Sequence, residues 1–207
     1  MPRPSQKHKI MSAALSCFAE KGYDGTSNKD IAMASGTSEA ALYRHFDSKE
    51  DLAKSLHVRC LNRLVGKMEE TADSRQPILE KLRDIVTLML DSYREETNAF
   101  RFVLLNVHEY MWKLPRKTRY PVDTVETLIK EGQRSGVVRE GDTRILATVF
   151  LGCVLRPILA SLAPPGFAPD LLRNRQHDET IEEAALASVK ASSPSARRRR
   201  EKKSRAL

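Results

Sequence analysis

Residues 35–49 read SGTSEAALYRHFDSK. Within them Tyr43, Arg44 and His45 stand in a row on a segment only one or two helical turns long. Three neighbouring side chains that can all donate hydrogen bonds, set mostly on a polar surface, add little to a fold. They gain a role when a partner outside the fold uses them. Around them, Gly36 allows a tight turn, Ser38 can accept from orphan amides, and Leu42 with Phe46 supplies one apolar side, which predicts a helix near 38–45. Immediately upstream, Ser27 followed three residues later by Asp30 has the make-up of a capping box, and Ile31 with Ala34 gives a short buried face, which predicts a helix over about 27–34. Two short helices joined by a three-residue turn are the parts of a helix-turn-helix, whose second helix presents its first residues to base edges in the DNA major groove.

The flanking sequence frames this unit. Ile10, Ala14, Cys17 and Phe18 share one face of a preceding helix, which the two glycines of KGYDG (21–25) stop. Asp47 and Ser48 can cap the following helix, with Glu50 and Asp51 at its positive end. That helix, about 48–72, carries Leu52, Leu56, Cys60, Leu64 and Met68 at four-residue spacing. Helical periodicity continues through Leu82, Ile85, Val86, Met89 and Tyr93, through Phe100, Val103, Leu104, Val107 and Met111, and through Val122, Val125, Leu128 and Ile129 up to Gly132. Asp142 caps a segment, 143–162, that is apolar nearly all round and so demands burial on more than one face. APPGFAP (163–169) breaks it, and 178–190 forms a last helix through Ile181, Ala185 and Val189. No alternating run of strand length occurs, so the expected fold class is all-α, with about nine helices. The expected organisation is a helix-turn-helix domain over 1–50, a helical domain over 51–191, and a disordered basic tail over 192–207.

Composition narrows the function. The formal net charge is +8, but residues 196–207 hold seven Lys and Arg against one Glu, so six of those charges belong to the tail. A claim of DNA binding therefore rests on a local site and not on the overall isoelectric point. Cys17, Cys60 and Cys153 lie far apart without paired spacing, so neither a disulfide framework nor a metal site is expected, and no cofactor is implied. The longest uncharged apolar run, ILATVFLGCVL (145–155), falls short of the roughly 20 residues that span a bilayer. The N-terminal MPRPSQKHKI has no signal-peptide core. The expectation is a cytoplasmic protein without a membrane partner.

With these residues in place, GYDGTSNKDIAMASGTSEAALYRHFDSKEDL (22–52) resembles the DNA-binding domain of TetR-family transcriptional regulators, over roughly residues 8–55. The shared order is Gly, a Thr/Ser cap, Ile-Ala, a small residue plus Gly, Leu-Tyr, His-Phe and a Lys. Thr37 stands where the family usually has an apolar turn residue, and Ala40 where Gly is frequent. The resemblance implies that Ser27, Asn28 and Lys29 touch backbone or a groove edge, that Ser38, Glu39, Ala40 and Ala41 face bases, and that Tyr43, His45 and Lys49 grip phosphates. On chemical grounds Arg44 can reach guanine or phosphate, and Glu39 can accept from a cytosine amino group.

The resemblance further implies a homodimer, a ligand-binding C-terminal domain and a small-molecule inducer. The interface would lie on the last two helices, with Thr148, Leu151, Gly152, Leu155 and Leu159 as its candidate residues. Met89, Tyr93, Phe102, Asn106, Glu109, Tyr110 and Arg156 are the candidate pocket residues, of types that serve equally as core and rim. Arg156, a charge within an apolar helix, needs a carboxylate, the other subunit or an acidic ligand as partner. His57 reads as solvated surface and the cysteines as small buried hydrophobes. His108 beside Glu109 has no spaced nucleophile, so the chain is not expected to be an enzyme. The expected function is a ligand-responsive, double-stranded-DNA-binding transcriptional regulator, a repressor at a near-palindromic operator. The alternative is a non-specific or architectural nucleic-acid binder that works through the basic tail.

Overall fold

The computed structural model describes residues 5–105, 111, 113–163 and 171–191. Among these there are nine α-helices and no β-strand. They are α1 (Gln6–Lys21), α2 (Asn28–Ser35), α3 (Glu39–Tyr43), α4 (Lys49–Ala72), α5 (Ile78–Glu95), α6 (Thr97–Leu105), α7 (Pro121–Arg134), α8 (Thr143–Ser161) and α9 (Asp178–Val189). The chain divides into two compact units, one of residues 1–67 with 91–120 and the other of 68–90 with 121–207, so α4 and α5 each contribute to both.

The first unit is built on α1. Its face of Ile10, Ala14, Cys17 and Phe18 closes over Ile31 of α2, Leu42 of α3, Phe46, and Leu52, Ala53 and Leu56 of α4. Phe102 of α6 completes this core, stacked on Phe18 with ring centroids 5.5 Å apart. An aromatic pair at that separation adds to the burial term, so Phe102 ties the distant α6 to a core otherwise made from the first 56 residues. His57 packs edge-on against the same ring at 5.7 Å and is 1 % exposed, not solvated as its polarity suggested. Burial pushes its imidazole pKa down to about 4, so it sits neutral in the core at ordinary pH.

The second unit buries Leu82, Ile85, Val86 and Met89 of α5 with Val125, Leu128 and Ile129 of α7 and the inner faces of α8 and α9. Asp142 caps α8, accepting from the Ile145 amide at 2.8 Å. Arg144 on the first turn of α8 reaches Asp123 at 2.6 Å and Glu126 at 3.0 Å on α7. Glu182 of α9 accepts from Thr87 of α5 at 2.7 Å. The short Val138–Lys190 bridge anchors the end of α9, with the Arg139 amide donating to the Val189 carbonyl at 2.8 Å.

Among the described residues one helix, α8, is long and apolar enough to cross a membrane by length and composition. It also carries Arg144, Arg156 and Pro157, and it buries Leu146, Ala147, Phe150, Leu151, Val154 and Ile158 within its unit. The all-round apolarity is thus half explained by the chain's own core. Ile145 (63 % exposed) and Val149 (49 % exposed) remain on the outer face.

Candidate DNA-recognition head

The first unit positions its polar side chains through helix caps. Ser27 accepts from the Asp30 amide at 3.1 Å while the Asp30 carboxylate accepts from the Ser27 amide at 2.9 Å, which closes the capping box expected from the sequence. Lys21 at the end of α1 bonds the other Asp30 oxygen at 2.7 Å. Together Lys21 and Ser27 hold the Asp30 carboxyl well below the usual carboxylate range. One acidic side chain therefore satisfies the start of α2 and fastens it to α1.

Gly36 ends α2 in the left-handed region (φ 65°, ψ 34°), where its amide and that of Thr37 return to the Met33 and Ala32 carbonyls. The Thr37 hydroxyl lies 2.8 Å from that of Ser35, so the polar residue in this turn is satisfied locally. Ser38 then caps α3 by accepting from the Ala41 amide at 3.1 Å. The three caps fix α3 against α2 as a helix-turn-helix pair, with Leu42 fully buried beneath.

On this frame, Ser27, Lys29, Ser38, Glu39, Ala40, Tyr43 and Arg44 are exposed and Asn28 and His45 half-buried. Ala41 is different, since at 2 % exposure it lies on the core side of α3. Tyr43 is 52 % exposed, and its hydroxyl accepts from the Asn28 amide at 2.7 Å across the two helices. His45 sits 3.4 Å from Gln6, which brings the start of α1 beside the end of α3. Lys7 in turn lies over the Phe46 ring. Neither Gln6 nor Lys7 carried a sequence signal, because their place depends on how α1 crosses α3.

Lys49 has a more inward role than its sequence position suggested. Its ammonium donates to the Tyr23 carbonyl at 3.0 Å and the Thr26 carbonyl at 2.9 Å, and lies 4.3 Å from the Tyr23 ring centroid. Beside it, Lys54 and then Lys113 hold the Glu50 carboxyl below its ordinary pKa.

The pocket candidates do not form a comparable cluster. Tyr93 and Phe102 are buried in the first unit, Tyr93 edge-on to Phe100, and Met89 is buried in the second. Arg156 is exposed on α8, and Asn106, Glu109 and Tyr110, like His108 and the basic tail, lie outside the described residues. Of the interface candidates Thr148 and Gly152 are exposed, Leu155 and Leu159 half-buried, and Leu151 buried at 4 %. Cys17 is buried, while Cys60 and Cys153 are intermediate.

A capped short helix, a left-handed glycine turn and a second short helix with a polar outer face define a helix-turn-helix DNA-binding regulator. Residues 10–56 match the family described as bacterial regulatory proteins, tetR family. The chain is 24 % identical over 150 residues to the fatty acid metabolism regulator protein of Bacillus subtilis, which covers 70 % of this chain and 77 % of that one. It is 35 % identical over 72 residues to the biofilm operon negative transcriptional regulator IcaR of Staphylococcus epidermidis, covering 35 % and 39 % of the two chains. The fold matches that of the regulator FadR of Bacillus subtilis, solved in complex with stearoyl-CoA, with a TM-score of 0.75 at 21 % identity over 87 % of this chain and 97 % of that one.

Proposed function

We propose that this protein is a ligand-responsive transcriptional repressor that binds a near-palindromic operator as a homodimer and is released by a small-molecule inducer. The observation that carries it is the capped α2–turn–α3 unit, whose outer face gathers Ser27, Lys29, Ser38, Glu39, Ala40, Tyr43 and Arg44. In this reading Glu39 and Ala40, at the start of α3, face base edges, and Tyr43, Arg44 and His45 hold phosphates. Ala41, being buried, supports the recognition helix from below.

The homodimer reading draws on the outer face of α8. Ile145, Thr148, Val149, Gly152 and Arg156 fall along one exposed stripe, and Thr180, Glu183, Ala184 and Ala187 form the exposed face of α9. Small residues on both helices suit close approach of a second copy. Two recognition helices would then lie roughly 34 Å apart, one DNA turn. The ligand class comes from likeness: proteins similar to this one include fatty acid regulators, one solved with stearoyl-CoA, so a long-chain acyl-CoA is the first inducer to test. A soluble cytoplasmic setting accompanies this reading, and it assigns the chain no catalytic step.

Selection from a random duplex library at about 0.15 M salt, near physiological ionic strength, tests the proposal. A two-fold symmetric motif is expected. Acyl-CoA should then weaken binding to the selected duplex, and that duplex should weaken acyl-CoA binding by the same factor, since the coupling is reciprocal. Absence of any enriched motif refutes DNA reading. A motif whose affinity no acyl-CoA alters refutes only the ligand class.

A further inference from the structure

We propose that the loop Lys113–Arg119 is a second, sequence-independent DNA contact that grips phosphates beside the recognition head. This rests on the DNA-binding reading above and extends it to a segment more than sixty residues downstream of the helix-turn-helix in sequence. The loop, KLPRKTR, carries four basic residues and no acid. Lys113, Arg116, Lys117 and Arg119 are all exposed.

Its position follows from contacts within the first unit. Lys113 donates to Glu50 at 3.3 Å, on the first turn of α4 and next to Lys49. Pro115 lines a surface groove of about 380 Å³ with Lys7, Met11, Lys54, Ser55 and Val58. Lys7 also lies over Phe46, and its neighbour Gln6 meets His45. The loop is therefore set on the flank where α1 and α4 begin, continuous with the His45 end of α3. Glu50, the acid that Lys113 meets, is bridged by Lys54 as well. Arg116 and Lys117 form no ion pair with a described residue. The exposed cations Arg116 and Lys117, beside a helix start whose own amides favour anions, suit a polyphosphate backbone better than a protein surface.

Arg and Lys contacts of this type release counterions, so each one lost lowers the slope of log affinity against log salt by about 0.9. Replacing Arg116 and Lys117 by Gln in the full chain removes two such contacts per chain. Between about 50 and 200 mM salt each contact accounts for roughly a 3.5-fold loss of affinity, and a dimer loses four, so the unaltered dimer should lose roughly 150-fold more than the double variant. The probes are the duplex selected by the unaltered chain and a scrambled duplex of the same length, and the tail is identical in both proteins.

The expected result is a shallower slope, equal weakening on both duplexes, and the original slope in the charge-keeping Arg116→Lys, Lys117→Arg protein. An unchanged slope overturns the inference while leaving the recognition head intact. Weakening confined to the selected duplex also overturns it, because phosphates carry no sequence. Failure of the unaltered chain to select any motif removes the DNA reading itself, and this inference with it.

Discussion

Replacing Lys49 by Met keeps the aliphatic stem and removes the ammonium, which distinguishes a clasp inside the fold from a grip on DNA. In the structure that ammonium bonds the Tyr23 and Thr26 carbonyls and faces the Tyr23 ring. A hydrogen bond from a charged donor contributes about 1.5–3 kcal/mol, and a partly exposed cation–π contact about 0.5–1 kcal/mol. Lys49 is only half-buried, and water can reach carbonyls near the surface, so the low end of each range applies. Two such bonds and the ring contact at their low ends give an expected loss of about 3.5 kcal/mol. At 2–4 °C per kcal/mol for a chain of about this length, the melting midpoint should fall by roughly 7–14 °C, read by circular dichroism without DNA. The structural reasoning is refuted if the midpoint stays put and only the salt dependence of DNA binding changes. That outcome would assign the ammonium to a phosphate and not to the α1–α2 connection.

Three further outcomes are expected. A Cβ placed at Gly152 meets nothing within 4 Å in the single chain, so Gly152→Leu should leave helical content unchanged yet convert a dimer to monomer in sedimentation equilibrium; a dimer that persists places the interface elsewhere. Asn28→Ala frees the Tyr43 hydroxyl, so it should weaken DNA binding about as much as Tyr43→Phe, with little further loss in the double variant; additive losses would show that the two act independently. Lys130 first, and then Arg144, hold the Glu126 carboxyl down to about 2, below an unfolded value of about 4.3, so its stabilisation is complete above that value and fades as pH falls from there towards 2. Glu126→Gln should flatten the fall of the melting midpoint in that window, and an unaltered acid limb would show that the α7–α8 ion pairs contribute nothing.

Local chemistry made the recognition head legible in the sequence. Ser27, Asp30, Ser38 and Asp142 cap helices because orphan amides need acceptors within three residues, and that need is met without any distant partner. Gly36 marks its turn because only the left-handed backbone returns the Thr37 amide to Ala32. The helix limits predicted for the last two segments, 143–162 and 178–190, lie within a residue of α8 and α9; Asp142 caps α8, whereas no side chain caps the start of α9. His57 was misplaced because periodicity gives the face of a helix and not what comes to lie over it, and Phe102, forty-five residues away, covers it.

Tertiary structure alone decided the rest. Lys49 has the same charge whether it meets a phosphate or two carbonyls, and only the closure of α4 over the α1–α2 connection selects between them. Ala41 differs from Ala40 by one helical step of about 100°, which buries one and exposes the other once α3 is seated. The loop Lys113–Arg119 is an ordinary basic stretch until Lys113 bridges to Glu50 and Pro115 settles beside Lys7. Caps and periods act over a few residues and are written in the chain, whereas the company a charge keeps is set by surfaces distant in sequence that only the packed fold brings together.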